Sequence, residues 1–128
     1  MTFREARRIL KEISEALKII SLKWSCLQIC KKEGLNRENT DIMMAVIQAE
    51  SGWNPLAIGK NTDGSWDYGI IQANSYWYIK KMKLLTKWEA LHNPKKAMTV
   101  MAKRIKMGRI TDWSAYKNGS YRKFLKVV

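Results

Sequence analysis

Two cysteines, two prolines and one histidine are all that a chain of 128 residues carries of three chemically decisive types. Each shortage removes a class of explanation. Cys26 and Cys30 lie four apart, on one face of a helix, and cannot build the multi-bridge framework of a small secreted scaffold. They are expected as free, buried thiols. His92 alone supplies imidazole and has no cluster of ligand residues around it, so neither metal nor cofactor is expected and His92 is read as structural. No stretch reaches the ~18–20 uninterrupted apolar residues of a membrane span. A composition 46% hydrophobic and 27% charged, with seven glycines, argues for a packed globule rather than disorder. The length suits one domain over 1–128, expected as a monomer.

Negative charge is the other scarcity, and it is uneven. Residues 73–128 hold 14 Lys and Arg against only Glu89 and Asp112, whereas residues 1–72 hold ten against nine. A one-sided cationic field predicts an anionic polymer as target, such as wall polymers, an anionic membrane or nucleic acid; a merely solvated basic face is the plain alternative.

What is present is mostly helical. In "MTFREARRILKEISEALKII" the residues Phe3, Ala6, Ile9, Leu10, Ile13, Leu17 and Ile20 recur at helical spacing, while Lys11, Glu12, Glu15 and Lys18 interrupt any leader-like apolar core. This reads as an amphipathic helix of the fold. "WSCLQICKKEGL" ends that helical region, or forms a second helix, near Gly34. Asn39 or Thr40 is a candidate N-cap for the strongly apolar "DIMMAVIQAES". Turn signals follow at Asn54-Pro55, Gly59 and Asp63-Gly64, the last typical of a tight hairpin. Helical pattern resumes from 69. Asn93-Pro94 caps and opens "KKAMTVMAKRIKMG", with Gly108 as its stop, and short helices are expected around 112–117 and 120–126.

Three ordered segments, "AVIQAESGWNP", "DYGIIQANS" and "WSAYKNGSY", resemble the glutamate-serine, glycine-x-x-glutamine and alanine-tyrosine-x-x-glycine motifs of the soluble lytic transglycosylases, a branch of the lysozyme-like superfamily. "NTDGSWDYGIIQANSYWY" is similar to the active-site hairpin of chicken-type lysozymes. The resemblance covers about 40–121; residues 1–39 are supported only as an N-terminal helical region. It implies a mainly α (α+β) fold, a lysozyme-like helical domain with a small β-hairpin beside a cleft. It also implies a substrate, the β-1,4 bond between N-acetylmuramic acid and N-acetylglucosamine of peptidoglycan glycan strands, and action at the bacterial cell wall. The setting such a domain suggests is a phage endolysin or virion-associated protein. Nucleic acid is not required.

Glycoside cleavage needs a proton for the leaving oxygen, delivered by a carboxyl whose pKa is raised by apolar surroundings. Glu50, closing a buried helix, suits that general acid. Asp67 is left between two roles. Retaining glycosidases place a second carboxylate roughly 5 Å from the acid, whereas lytic transglycosylases work with the glutamate alone and let the muramic 6-hydroxyl attack, giving a 1,6-anhydro end; Asp67 would then be a hairpin residue bonding backbone. The motif set as a whole favours the anhydro product over hydrolysis. Ser51 and Gln72 are expected to orient Glu50 or bind sugar amides, with Gly69 permitting close backbone approach beside them. Asn74 is a sugar ligand or a helix cap. The resemblance also implies that Trp113 and Tyr116, which align with aromatic positions bordering the acid in the family, flank Glu50, one as apolar wall and one through its hydroxyl. Trp66 is placed in the cleft, Trp53 and Trp77 inside the core. A non-catalytic cationic binder of wall polymer or nucleic acid remains the reading of another class, though it gives no reason for the order of the motifs.

Overall fold

The computed structural model describes residues 1–125. Helix α1 runs unbroken over Phe3–Glu33, so of the two alternatives for "WSCLQICKKEGL" it is the end of the first helical region and not a second helix. Thr2 caps its start by accepting from the Glu5 amide, and Gly34 ends it in the left-handed conformation at φ 77°. Lys106 reaches back from a later helix to donate to the Glu33 carbonyl at 2.8 Å, which satisfies a free acceptor at the α1 terminus.

The direction of α1 departs from the sequence reading. Cys26 and Cys30 are fully buried, and Ile19, Leu22 and Ile29 pack beside them. Phe3, Leu10, Ile13, Leu17 and Ile20 are exposed. The helix has two apolar faces, and the one that the N-terminal periodicity revealed is not the one facing the core. Both cysteines are free thiols; the neighbouring Cys30 sulfur and burial push the Cys26 thiol well above its ordinary range.

Helix α2 spans Arg37–Ser51, with Asn36 as its N-cap in place of Asn39 or Thr40: its side chain accepts from the Asn39 amide at 2.8 Å. Met43, Ala45, Val46 and Ile47 are buried, so α2 is packed on most of its circumference and ends at Glu50-Ser51 with Gly52 left-handed behind it. Three short strands follow, β1 (Ile58–Lys60), β2 (Trp66–Tyr68) and β3 (Ala73–Asn74), in an antiparallel sheet of order β1-β2-β3. The hairpin turn is looser than Asp63-Gly64 suggested. Residues 61–65 form the loop, closed by the Asn61 amide donating to the Ser65 carbonyl at 2.9 Å, with Gly64 at φ 87° and Asp63 accepting from the Ser65 amide and hydroxyl. Helical pattern then resumes at 75 rather than 69, as a π-helix over Ser75–Lys81.

Helix α3 (Lys87–His92) opens with a reciprocal capping box between Thr86 and Glu89. Helix α4 (Pro94–Lys106) starts at the Asn93-Pro94 cap that the sequence announces and buries Ala97, Met98, Met101, Ala102 and Ile105. A 3-10 turn (Ile110–Asp112), the short α5 (Ser114–Lys117) and a second 3-10 turn (Ser120–Phe124) complete the described chain; position 126, where a helix was expected to end, lies outside the described residues. The core gathers α1, α2 and α4 around Cys26, Cys30, Met43, Ile47, Ile70, Ile71, Met98 and Met101, all essentially inaccessible. No helix among the described residues is long and apolar enough to cross a membrane.

Candidate active site

A cleft of about 450 Å³ opens where the end of α2, the β-sheet and the 110–117 segment meet; Glu50, Asp67, Gln72, Asn74, Trp77 and Trp113 are among the residues lining it. Each wall has a local cause. Glu50 projects from the last turn of α2, a helix whose buried face leaves it little freedom to move. Asp67 is the middle residue of β2, so alternation along the strand sends it to the face opposite that of its neighbours Trp66 and Tyr68. It pairs in register with Gly59 on one side and Asn74 on the other.

Glu50 accepts a hydrogen bond from the Ala115 amide at 2.9 Å. Burial raises its pKa above the ordinary carboxyl range, the Ala115 bond acts against that, and the charge of Asp67 adds to the rise. The cleft therefore makes Glu50 hold its proton more tightly than an exposed carboxyl would, beside a second acid. Asp67 Oδ1 accepts from the Asn74 amide nitrogen at 3.1 Å. Asn74 also caps the π-helix, its Oδ1 accepting from the Tyr76 and Trp77 amides at 3.0 Å. Its side chain thus holds Asp67 with one end and a helix start with the other.

The remaining residues named from sequence divide. Gln72 lines the cleft in the left-handed conformation at φ 54°, its Nε2 donating to the carbonyls of Ala57 and Gly69. Trp113 is buried, lends its edge to the cleft, and donates its indole N–H to the Ile71 carbonyl at 2.8 Å. Ser51 points away from the cleft and donates to the Ile70 carbonyl at 2.6 Å, tying the end of α2 to the segment after β2. Tyr116 is not among the residues lining the cleft and is stacked on Tyr121 at 5.0 Å between ring centroids; the bond to Glu50 comes from the neighbouring backbone N–H of Ala115 instead. Trp66 stands outside the cleft on the far face of β2, under the Lys60 ammonium at 5.5 Å. Trp53 is buried, but Trp77 is 57% exposed and borders the cleft, a reversal of its expected place in the core.

The sequence reading missed a charged cluster at the mouth. Asp112 accepts from the Tyr78 hydroxyl at 2.6 Å and from Arg104 Nη2 and Arg109 Nη2 at 3.0 Å each. These bonds join the π-helix, α4 and the 3-10 turn that leads to Trp113 and Ala115. A signal was available, because Asp112 is one of only two acids among the 14 cations of residues 73–128. Although burial opposes it, the Tyr78 hydroxyl and the two guanidiniums hold the Asp112 carboxyl below its ordinary range. A depressed folded pKa means stability that is present above the unfolded value and lost as pH falls through the folded one. Asp112→Asn is therefore expected to lower Tm at neutral pH and to flatten the fall of Tm with acidification, measured by calorimetry over a pH series. An unchanged acid limb would remove Asp112 from this role.

No group of three or more His, Cys, Asp and Glu side chains able to hold a metal occurs among the described residues. The site's chemistry is that of two carboxyls, an amide cradle and aromatic walls.

Comparison with known proteins points the same way. Residues 27–115 match the family described as "Lysozyme like domain". Lysozyme C-1 of Anas platyrhynchos is 62% identical over 34 residues, 27% of this chain and 23% of that protein. Invasion protein IagB of Salmonella typhimurium is 36% identical over 64 residues, 50% of this chain and 39% of that one. Lysozyme C of Takifugu rubripes is 50% identical over 38 residues, 30% of this chain and 27% of its own length. The matched stretches thus span well under half of these relatives. With most of its length matched by one family and with a helical body, a small antiparallel sheet and a carboxyl-lined cleft between them, the chain belongs to the lysozyme-like domain family.

Proposed function

We propose that the protein is a peptidoglycan-degrading glycosidase acting at the bacterial wall. It cleaves the β-1,4 bond between N-acetylmuramic acid and N-acetylglucosamine, with Glu50 as general acid and base and Asp67 as the supporting carboxylate. The observation that carries this reading is that Glu50, raised in pKa by burial and by Asp67, shares one cleft with that second acid. Protonated Glu50 gives its proton to the glycosidic oxygen as the bond to the anomeric carbon breaks and the electron pair leaves with that oxygen. The sugar becomes an oxocarbenium ion, which the Asp67 carboxylate stabilises. Water then attacks the anomeric carbon as Glu50, now a carboxylate, takes its proton and is restored. Trp77 supplies an exposed aromatic face for a sugar ring, and Gln72 and Asn74 are among the polar groups on the cleft wall.

The cleft itself argues against a binder of polyanions. Glu50, Asp63, Asp67 and Asp112 line it and Lys117 is the one cation among its lining residues, in a chain of net charge +13. An acidic cleft in a cationic body suits an uncharged saccharide segment held within an anionic wall, since phosphates would meet carboxylates there.

A second reading, a lytic transglycosylase, is favoured by Glu50-Ser51 and by Ala115-Tyr116 with Gly119, which resemble that branch. The muramic 6-hydroxyl would then capture the cation in place of water. Mass spectrometry of released muropeptides, with Asp67→Asn, tests the choice. Hydrolysis predicts reducing ends from the wild type and loss of activity in Asp67→Asn by about two orders of magnitude or more. Anhydro ends, with Asp67→Asn still active, would establish the transglycosylase. The same variant has a direct readout in carboxyl NMR: with the neighbouring charge gone, Glu50 is expected to titrate at lower pH than in the wild type.

A further inference from the structure

Helix α1 is more than the fold uses. From Phe3 to Lys18 every residue but Ala6 is exposed, and the first apolar residue of α1 packed on the core is Ile19. A four-turn overhang of this kind is marginal in water without a partner. Its apolar residues, however, are regularly placed. Phe3, Ala6, Leu10, Ile13, Leu17, Ile20, Trp24 and Leu27 follow one another at alternating steps of three and four. That is an uninterrupted run of coiled-coil seam positions. At about 100° per residue this stripe lies opposite the face formed by Ile19, Leu22, Cys26, Ile29 and Cys30, so α1 can serve its own core and a second helix together.

We infer that this stripe is the seam of an antiparallel coiled coil formed with a second copy of the chain. The stripe is its own complement when reversed. With Phe3 set against Leu27 of the other copy, Ala6 meets Trp24, Leu10 meets Ile20 and Ile13 meets Leu17, so that every seam position finds a seam position. The smallest residue faces the largest, and the same pairs recur across the two-fold axis. A parallel arrangement would stack Trp24 on Trp24 and Ala6 on Ala6, leaving a bulge and a gap. Flanking positions agree: in the antiparallel register Lys23 lies beside Ile9, and Arg7 lies beside Ser21, so no like charges oppose each other.

Area and field support the same occupant. Phe3 is 88% exposed, Trp24 63% and Leu17 59%. Covering these with the other seam residues approaches the roughly 800 Å² per partner of a standard interface. The 31 residues of α1 make a rod of about 46 Å. Antiparallel pairing puts the two cationic bodies at its opposite ends, where their mutual repulsion is least. A membrane surface fits less well. An interfacial helix carries a uniformly basic polar face and a broad apolar one, whereas here Glu5, Glu12 and Glu15 are interspersed with Arg4, Arg7, Arg8, Lys11 and Lys18 around a narrow seam.

Sedimentation equilibrium of the full chain over a micromolar dilution series is expected to show a monomer–dimer equilibrium. Leu17→Glu, which sets a charge against Ile13 twice per dimer, is expected to leave only monomer. Its near-UV circular dichroism should match the wild type, because Leu17 is exposed and takes no part in the core. Orientation is read from mixed cysteine variants under mild oxidation: Ile13→Cys chains mixed with Leu17→Cys chains are expected to cross-link to each other, and Ile13→Cys alone is not. A wild type that is monomeric throughout, a dimer indifferent to Leu17→Glu, or self-cross-linking by Ile13→Cys overturns the inference. So does a monomer that instead binds vesicles of equimolar phosphatidylcholine and phosphatidylglycerol through this helix.

Discussion

Glu50→Gln is expected to lower turnover by about 10²–10⁴-fold while leaving the protein folded and its cleft occupied by saccharide as before. The amide has the size of the carboxyl and its oxygen still accepts from the Ala115 N–H, but it holds no proton to give to a leaving oxygen. Stability should move the other way. A carboxyl whose folded pKa is raised contributes fully below its unfolded pKa, and that contribution is lost as pH rises through the folded value. Above that value the wild type carries the desolvation cost of a buried charge, which an uncharged amide does not have. Calorimetry near pH 7 is expected to give the variant a Tm equal to or above the wild type, with muropeptide release measured on the same preparation. Activity within about tenfold of wild type would take Glu50 out of the proton-transfer role, and a lowered Tm would show that the carboxylate is stabilising where it stands.

That pairing of lost function with retained stability is what a site residue does and a core residue does not, and it marks what could be read from sequence. The apolar run "DIMMAVIQAE" announces a buried helix ending in an acid, and α2 is that helix with Glu50 in its last turn. Asn93-Pro94 announces a cap because proline lacks the amide that a first turn leaves unpaired anyway. Asp67 becomes a cleft residue through strand alternation once the hairpin is recognised.

Other features depended on information that periodicity does not hold. A stripe at helical spacing shows that one face of α1 is apolar, yet it does not say whether that face meets its own core or a second chain; the core-facing set around Cys26 and Cys30 is shorter, and its sequence alone fits either the end of α1 or a second helix. Trp77 is expected in the core, but the segment winds as a π-helix, whose wider turn changes which residues share a face, and Tyr78 goes inward instead. The Asp112 cluster joins residues 34 apart in the chain through Tyr78. Only the folded arrangement brings such partners together, and the sequence marked the site solely by an acid standing among cations.

The second large effect concerns a residue with no side chain. Gly69→Ala is expected to destabilise the fold by at least ~3 kcal/mol, a fall in Tm of roughly 10 °C or more for a domain of this size. Gly69 follows β2 at φ 79°, a conformation an L-residue adopts only at a cost. A Cβ there would stand 1.8 Å from the Ala90 carbonyl oxygen and 2.8 Å from its carbon, both of them backbone in α3. A flexible side chain could give way; a helix backbone anchored by a capping box at Thr86 and Glu89 and by the buried Ala90 cannot do so cheaply. The strain would pass in both directions. The Gly69 amide donates to the Ala57 carbonyl at 2.7 Å, and the Gly69 carbonyl accepts from the side chain and the backbone of Gln72, so moving Gly69 also moves the cleft wall. Thermal unfolding of Gly69→Ala should therefore show the loss in Tm together with reduced turnover by the surviving folded fraction. A stable variant with wild-type activity would mean that β2 and α3 are not held in the contact on which the position of Asp67 depends.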